Sequence, residues 1–159
     1  MARVSLTLIG IIFIFFCCNE PVKVTEIDEV DVQVEYPCLS SSSDCLSEID
    51  ISGGTFQMYS SFHIDSVSDV RGAIITMHGN NRNASDYYEK MISVVSSQMS
   101  TDEILIIAPK FITNYEKTYN SDWYWNTTSW KWGMQSYNSP LGESVSSFEV
   151  IDSILSKLS

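Results

Sequence analysis

Two apolar runs constrain this chain more than any other feature: residues 73–77 (Ala-Ile-Ile-Thr-Met) and residues 103–108, apolar from Ile104 onward and stopped by Pro109. A strand with one wet face alternates apolar and polar residues, whereas a strand without alternation is covered on both faces. Between the runs, Tyr88, Met91, Ile92, Val95 and Met99 recur at helical spacing. Ser85 or Asn83 stands where an N-cap belongs, and Asp86 suits the positive end of the helix. Further on, Ser146-Ser147-Phe148-Glu149 fits a capping box opening a helix whose apolar face is Phe148, Ile151, Ile154, Leu155 and Leu158. Strand, helix, strand, long loop and helix predict an α/β fold: a mostly parallel sheet with helices on both faces and no internal repeat. Such a last helix should hand over to another buried strand. None follows it in these 159 residues, so the sheet is expected to be incomplete at its C-terminal side.

Upstream, residues 56–64 are rich in aromatic and β-branched side chains and predict a strand, with a turn over residues 66–69. Residues 19–55 form an acidic, Ser-rich lead-in broken by Pro21, Pro37 and Gly53-Gly54. Within it, Val30, Val32 and Val34 alternate with acidic and polar residues over 26–35, as in a half-buried strand or an extended approach to the domain. Residues 1–18 have the form of an export signal, with Arg3 ahead of an apolar stretch over 6–16 that is short for a bilayer span. Phe15 and Phe16 stand where a cleavage site prefers small residues, which keeps a signal anchor open. Cys17 and Cys18 keep lipid attachment open. The domain organisation is therefore a signal at 1–18, a lead-in at 19–55 and an α/β domain at 56–159, in a secreted or extracytoplasmic protein.

Cys38 and Cys45 bracket a short Ser-rich loop, and in an oxidising compartment their simplest fate is a local disulfide; two free thiols are the alternative. Asn83-Ala84-Ser85 and Asn126-Thr127-Thr128 are glycosylation sequons. With 9 basic against 20 acidic residues and a formal charge of −11, nucleic acid and anionic membrane surfaces are excluded as partners, a signal or lipid anchor aside. No phosphate-cradling glycine loop and no His/Cys/Asp cluster at ligand spacing is present, so no cofactor and no metal is expected.

The chemistry lies in residues 71–88, where the first apolar run breaks at His78-Gly79-Asn80-Asn81 before the helix. A backbone turned sharply at a strand's carboxyl end, with glycine where a side chain would obstruct, aims free N–H groups at a developing oxyanion. The plain alternative is that His78 is a satisfied polar residue at a strand end. His63 reads as structural or exposed, Asp152 as solvated, and Asp86 and Asp122 as loop or capping residues.

The segments around Tyr59–Asp65, Ile75–Tyr88 and Ile106–Phe111, followed by Trp123-Tyr124-Trp125, Trp130-Lys131-Trp132-Gly133 and Val145–Asp152, resemble in this order the amino-terminal half of a secreted α/β-hydrolase. The resemblance covers roughly residues 56–159 and stops before the nucleophile elbow. It implies acyl transfer by a Ser nucleophile, a His base oriented by an acid, and backbone N–H groups holding the oxyanion. In that fold the order is Ser, then Asp or Glu, then His, with the Ser in Gly-x-Ser-x-Gly, a motif absent here. The resemblance therefore assigns no triad residue. It assigns the oxyanion loop to Gly79 and Asn80, with Asn81 next, and a loop-orienting role to His78.

Four tryptophans, Trp123, Trp125, Trp130 and Trp132, fall within ten residues. They either line an acyl or sugar pocket or pin a long excursion to the sheet. The expected function is a fragment of an exported serine hydrolase acting on small or polymeric esters or amides, inactive alone. The alternative is an exported non-catalytic module that binds carbohydrate or protein through residues 123–132.

Overall fold

The computed structural model describes residues 36–67, 70–137 and 143–159. The export-signal and acylation readings, the alternating segment 26–35 and part of the expected turn at 66–69 lie outside these residues. No helix among the described residues is long and apolar enough to cross a membrane.

Four strands form one sheet: β1 (Leu46–Ile51), β2 (Gly54–Ser60), β3 (Gly72–Ile75) and β4 (Ile104–Pro109), in the order β1-β2-β4-β3. The α/β class is as expected, but the sheet is mixed rather than mostly parallel. β1 pairs with β2 and β2 with β4 antiparallel, and only β3 and β4 run parallel, with Ala73 opposite Leu105 and Ile75 opposite Ile107. The cause is the hairpin β1–β2, formed by residues 46–60 and extending back into the acidic lead-in. Ser52 and Gly53 both have positive φ, 49° and 79°, as a two-residue hairpin turn of the primed type requires. β2 ends at Ser60, earlier than its aromatic composition suggests, and Ile64–Ser66 is a single 3-10 turn.

Strand β4 separates two cores because its side chains alternate. Ile106 and Ala108 pack against Tyr88, Ile92 and Val95 of helix α1 (Ala84–Gln98) on one face. Leu105 and Ile107 pack on the other face with Phe56, Met58, Phe111 and with Val150 and Ile154 of helix α2 (Ser147–Lys157). Both faces carry a helix, as the unalternating runs require. Every residue of β4 after Ile104 is buried, whereas Ala73 of β3 is exposed, because β3 is the sheet's edge among the described residues.

Both helices keep most of their expected faces, Tyr88, Met91, Ile92 and Val95 in α1 and Ile151, Ile154 and the C-cap Leu158 in α2, and depart from them in particulars. Met99 is not part of the packed face of α1: it is the C-cap, 49 % exposed. Asn83 occupies the N-cap position without a capping bond, because its amide donates to Asp86 instead, at 2.7 Å. In α2 the capping box forms as expected, with Ser146 accepting the Glu149 N–H and Glu149 accepting that of Ser146. The buried stripe, however, is Ser147, Val150 and Ile154, and Phe148 and Leu155 point outward at 60 % and 50 % exposure. The helix carries apolar residues over more than one stripe, and contact with Leu105 and Ile107 selects which of them is buried.

Cys38 and Cys45 form a disulfide, Cα atoms 5.6 Å apart, beside α1, where the buried Tyr88 hydroxyl donates to the Cys38 carbonyl at 2.6 Å.

Candidate functional site

The loop between β3 and α1 leaves the carboxyl end of the parallel pair, the rim at which α/β sheets place their ligands. His78, at its start, is 3 % exposed. The Phe111 N–H donates to His78 Nε2 at 3.1 Å, so that nitrogen carries the lone pair and the proton sits on Nδ1, which donates to the Gly79 carbonyl at 2.9 Å. The ring also packs edge-on against Trp130 and Phe111, centroids 4.5 Å and 5.9 Å away. Burial holds the imidazole pKa below its ordinary value, keeping the neutral form that both hydrogen bonds need. One side chain thus joins the exits of β3 and β4.

Two further contacts fix the loop. The Arg82 N–H closes a turn onto the Gly79 carbonyl at 3.0 Å, with Arg82 held at φ 53°, a left-handed conformation uncommon outside glycine. The Arg82 guanidinium donates to Glu116 at 3.1 Å, and Glu116 in turn accepts the Thr113 N–H and hydroxyl, each at 2.7 Å. Burial alone would raise the Glu116 pKa; the Thr113 and Arg82 hydrogen bonds outweigh it and hold the carboxyl below its ordinary value. From the Trp-rich segment, Lys131 Nζ donates to Asn80 Oδ1 at 2.6 Å. Among the described residues no acceptor takes the N–H groups of Gly79, Asn80 or Asn81. Gly79 is half-buried under the Tyr87 hydroxyl, which a β-carbon would approach to 3.2 Å, whereas Asn80 and Asn81 are exposed.

The tryptophans divide. Trp123 is a core residue lying flat on the hairpin: its indole donates to the Ile51 carbonyl at 2.7 Å, and a β-carbon on Gly54 would sit 2.4 Å from its ring. Trp125 is equally buried and donates to the Met134 carbonyl at 2.9 Å. Trp130, 6 % exposed, stacks on Phe111 with centroids 5.2 Å apart, and its indole N–H has no acceptor among the described residues. Trp132 alone is exposed, at 72 %.

Two clefts open nearby. One, of about 490 Å³, lies between the His78 loop and the start of α2, walled by Met77, Phe111, Trp130, Phe148 and Ile151 with Lys131 beside them. The other, of about 470 Å³, is lined by Arg82, Thr113, Tyr115, Trp125 and the stacked pair Tyr124 and Tyr137. Of its wall residues, Tyr124 belongs to the aromatic cluster read from the sequence and is half-buried, whereas Tyr115 and Tyr137 are exposed and fall outside that cluster. Asp122 accepts the N–H groups of Thr118 and Tyr119 at 2.7 and 2.9 Å, a loop-closing role, and Asp152 is exposed. In the second sequon, Asn126 Oδ1 accepts the Thr128 and Ser129 N–H groups at 3.1 and 2.7 Å. Among the described residues no group of three or more His, Cys, Asp or Glu side chains is placed to hold a metal ion.

Comparison with protein-family models, with curated proteins and with solved structures finds no match.

Proposed function

We propose that this chain carries the oxyanion-loop half of an exported serine hydrolase acting on an ester or amide bond. The observation that carries the reading is the loop at residues 78–81. It follows a parallel strand, precedes a helix, holds three N–H groups without acceptors, and is braced from three sides by His78, Arg82 and Lys131. In an α/β-hydrolase one oxyanion N–H comes from the loop between the third strand and the first helix, and on this reading the loop between β3 and α1 is its counterpart. Rigid donors already aimed at the site cost no reorganisation when charge develops, which is why bracing matters. His78 acts through the loop, not as the triad base: its lone pair is committed to the Phe111 N–H, so it has none to offer a nucleophile. Gly79 and Asn80 are the donors, with Asn81 next. Trp130 walls the cleft beside them, while Trp123 supports the hairpin.

The reading needs a serine in a Gly-x-Ser-x-Gly elbow, a motif absent from these 159 residues. Fluorophosphonate labelling is therefore expected from a polypeptide joining this chain to a Gly-x-Ser-x-Gly strand and not from residues 1–159 alone. Labelling of a serine within 1–159 would place the nucleophile elsewhere and overturn the reading. The second reading, a binding module, draws on the cleft of Tyr115, Tyr124 and Tyr137, whose ring faces suit a sugar. It gains weight if the joined polypeptide fails to label while that cleft binds oligosaccharide.

A further inference from the structure

We propose that the cleft beside His78 binds a monocarboxylate with an apolar body, the carboxylate meeting Lys131 and the loop amides, and the body lying between the Phe111–Trp130 stack and α2. The cleft's volume, about 490 Å³, is in the range of small-ligand sites, and its walls are aliphatic and aromatic. Lys131 is the one charged residue lining it.

Charge decides the ligand. Arg71, Arg82 and Lys157 are each paired with a carboxylate, of Glu103, Glu116 and Asp65. Lys131 has none among the described residues: its ammonium donates to the neutral Asn80 amide and lies 5.9 Å from the Trp132 ring. An ammonium has three donors, so two stay available after Asn80 is served. Lys90, Lys110 and Lys117 also have no carboxylate partner among the described residues, but none of them lines this cleft, so Lys131 is the cation placed to meet an anion there. The open N–H groups of Gly79, Asn80 and Asn81 are not in the lining but follow directly on His78, which is, and they favour the same charge. The walls are mostly apolar, and their polar members, His78 and Ser147, already donate or accept within the protein, so the cleft rewards an aliphatic or aromatic body.

The inference rests on the acyl-transfer reading only for its meaning, that the ligand is the acid product or a substrate of that class. Binding itself needs no nucleophile. Loss of carboxylate binding with fluorophosphonate labelling intact would overturn this inference alone, and the reverse pattern would overturn the hydrolase reading alone.

The experiment is a ¹⁵N-detected titration of residues 1–159 with 4-phenylbutyrate and, separately, with 4-phenylbutan-1-ol, which keeps the shape and removes the charge. Saturable shifts are expected at the amides of 79–81 and the Trp130 indole, with the acid binding about tenfold tighter than the alcohol. Lys131→Met should abolish that preference, and Lys131→Arg should keep it. Equal binding of acid and alcohol by the native chain, an unchanged preference in Lys131→Met, or shifts confined to residues outside the cleft would each overturn the proposal. So would the absence of any saturable shift.

Discussion

The Phe111 backbone N–H donates to His78 Nε2 at 3.1 Å, so the residues that leave β3 and β4 are held together by a single buried ring. His78 spends both nitrogens on main-chain partners, and its removal leaves the Phe111 N–H without an acceptor, while the Gly79 carbonyl keeps the Arg82 N–H. An unsatisfied buried donor costs roughly 1–3 kcal/mol, and the cavity left by the ring adds to it. His78→Ala should therefore destabilise the fold by about 3 kcal/mol, read from urea unfolding followed by tryptophan fluorescence. A loss below about 1 kcal/mol would show that the two strand exits are held by something else.

The same ring sets a pH dependence. Its folded pKa lies below the unfolded one, so as pH falls through the unfolded value the unfolded chain takes a proton that the native ring refuses. Stability is complete above about pH 6.5 and declines below it, with a slope of at most about 1.4 kcal/mol per pH unit, until the native ring titrates too. His78→Asn should be less stable at pH 8 and lack this component. A native chain equally stable at pH 8 and pH 5.5 would contradict the assignment. Glu116, held below its ordinary value, adds a separate loss in more acidic solution, as pH falls from its unfolded value through its native one.

Gly54 and Gly72 make a matched pair. A β-carbon on Gly54 meets the Trp123 ring at 2.4 Å, while one on Gly72 meets nothing within 4 Å. Gly54→Ala should cost about 1–3 kcal/mol through displacement of the indole, which also donates to Ile51. Gly72→Ala should be neutral or stabilise by up to about 1 kcal/mol, by restricting the unfolded chain. Thermal unfolding should show a lowered Tm for Gly54→Ala and an unchanged or raised one for Gly72→Ala.

Trp123 and Trp125 donate their indole N–H groups to carbonyls, and Trp130 does not. Replacement by Phe removes a hydrogen bond worth about 1 kcal/mol in the first two, and in the third removes a buried donor that has no acceptor. Trp130→Phe should therefore be the mildest of the three in chemical denaturation, despite equal loss of ring size.

The Cys38–Cys45 bridge closes a loop of sequence separation 7. Loop-closure entropy for so short a ring gives about 2.5 kcal/mol. The double Cys→Ser variant should unfold at correspondingly lower denaturant, with the sheet's circular dichroism intact before the transition.

Much of the fold is legible in the sequence wherever one periodicity dominates. The run at 73–77 forms β3 as far as Ile75, that at 103–108 forms β4 from Ile104, the helix between them forms over Ala84–Gln98, and Ser146 with Glu149 opens α2. The hairpin is harder to see, because Ser and acidic residues give 46–51 the composition of a loop. The signal is there in hindsight: Ile49 and Ile51 alternate inward, followed by Ser52-Gly53. In α2 the periodic positions Ile151, Ile154 and Leu158 do pack on the core, but the burial of Ser147 and Val150 and the exposure of Phe148 and Leu155 are set by tertiary contact. The His-Gly loop announces a polar break at a strand end, but its bracing by Arg82–Glu116 and Lys131–Asn80 joins residues 34 and 51 positions apart, contacts that no local pattern encodes.

The central claim is that the amides of residues 78–81 hold an acyl oxygen. Its most direct test is the proton chemical shift of the Gly79, Asn80 and Asn81 amides before and after phosphonylation of a polypeptide that joins this chain to a nucleophile-bearing strand. The account predicts that Gly79 or Asn80 moves strongly downfield, as an amide bound to a phosphoryl oxygen does, while the Phe111 amide, already bonded to His78, stays in place. A phosphonylated protein in which none of the three amides shifts would contradict it.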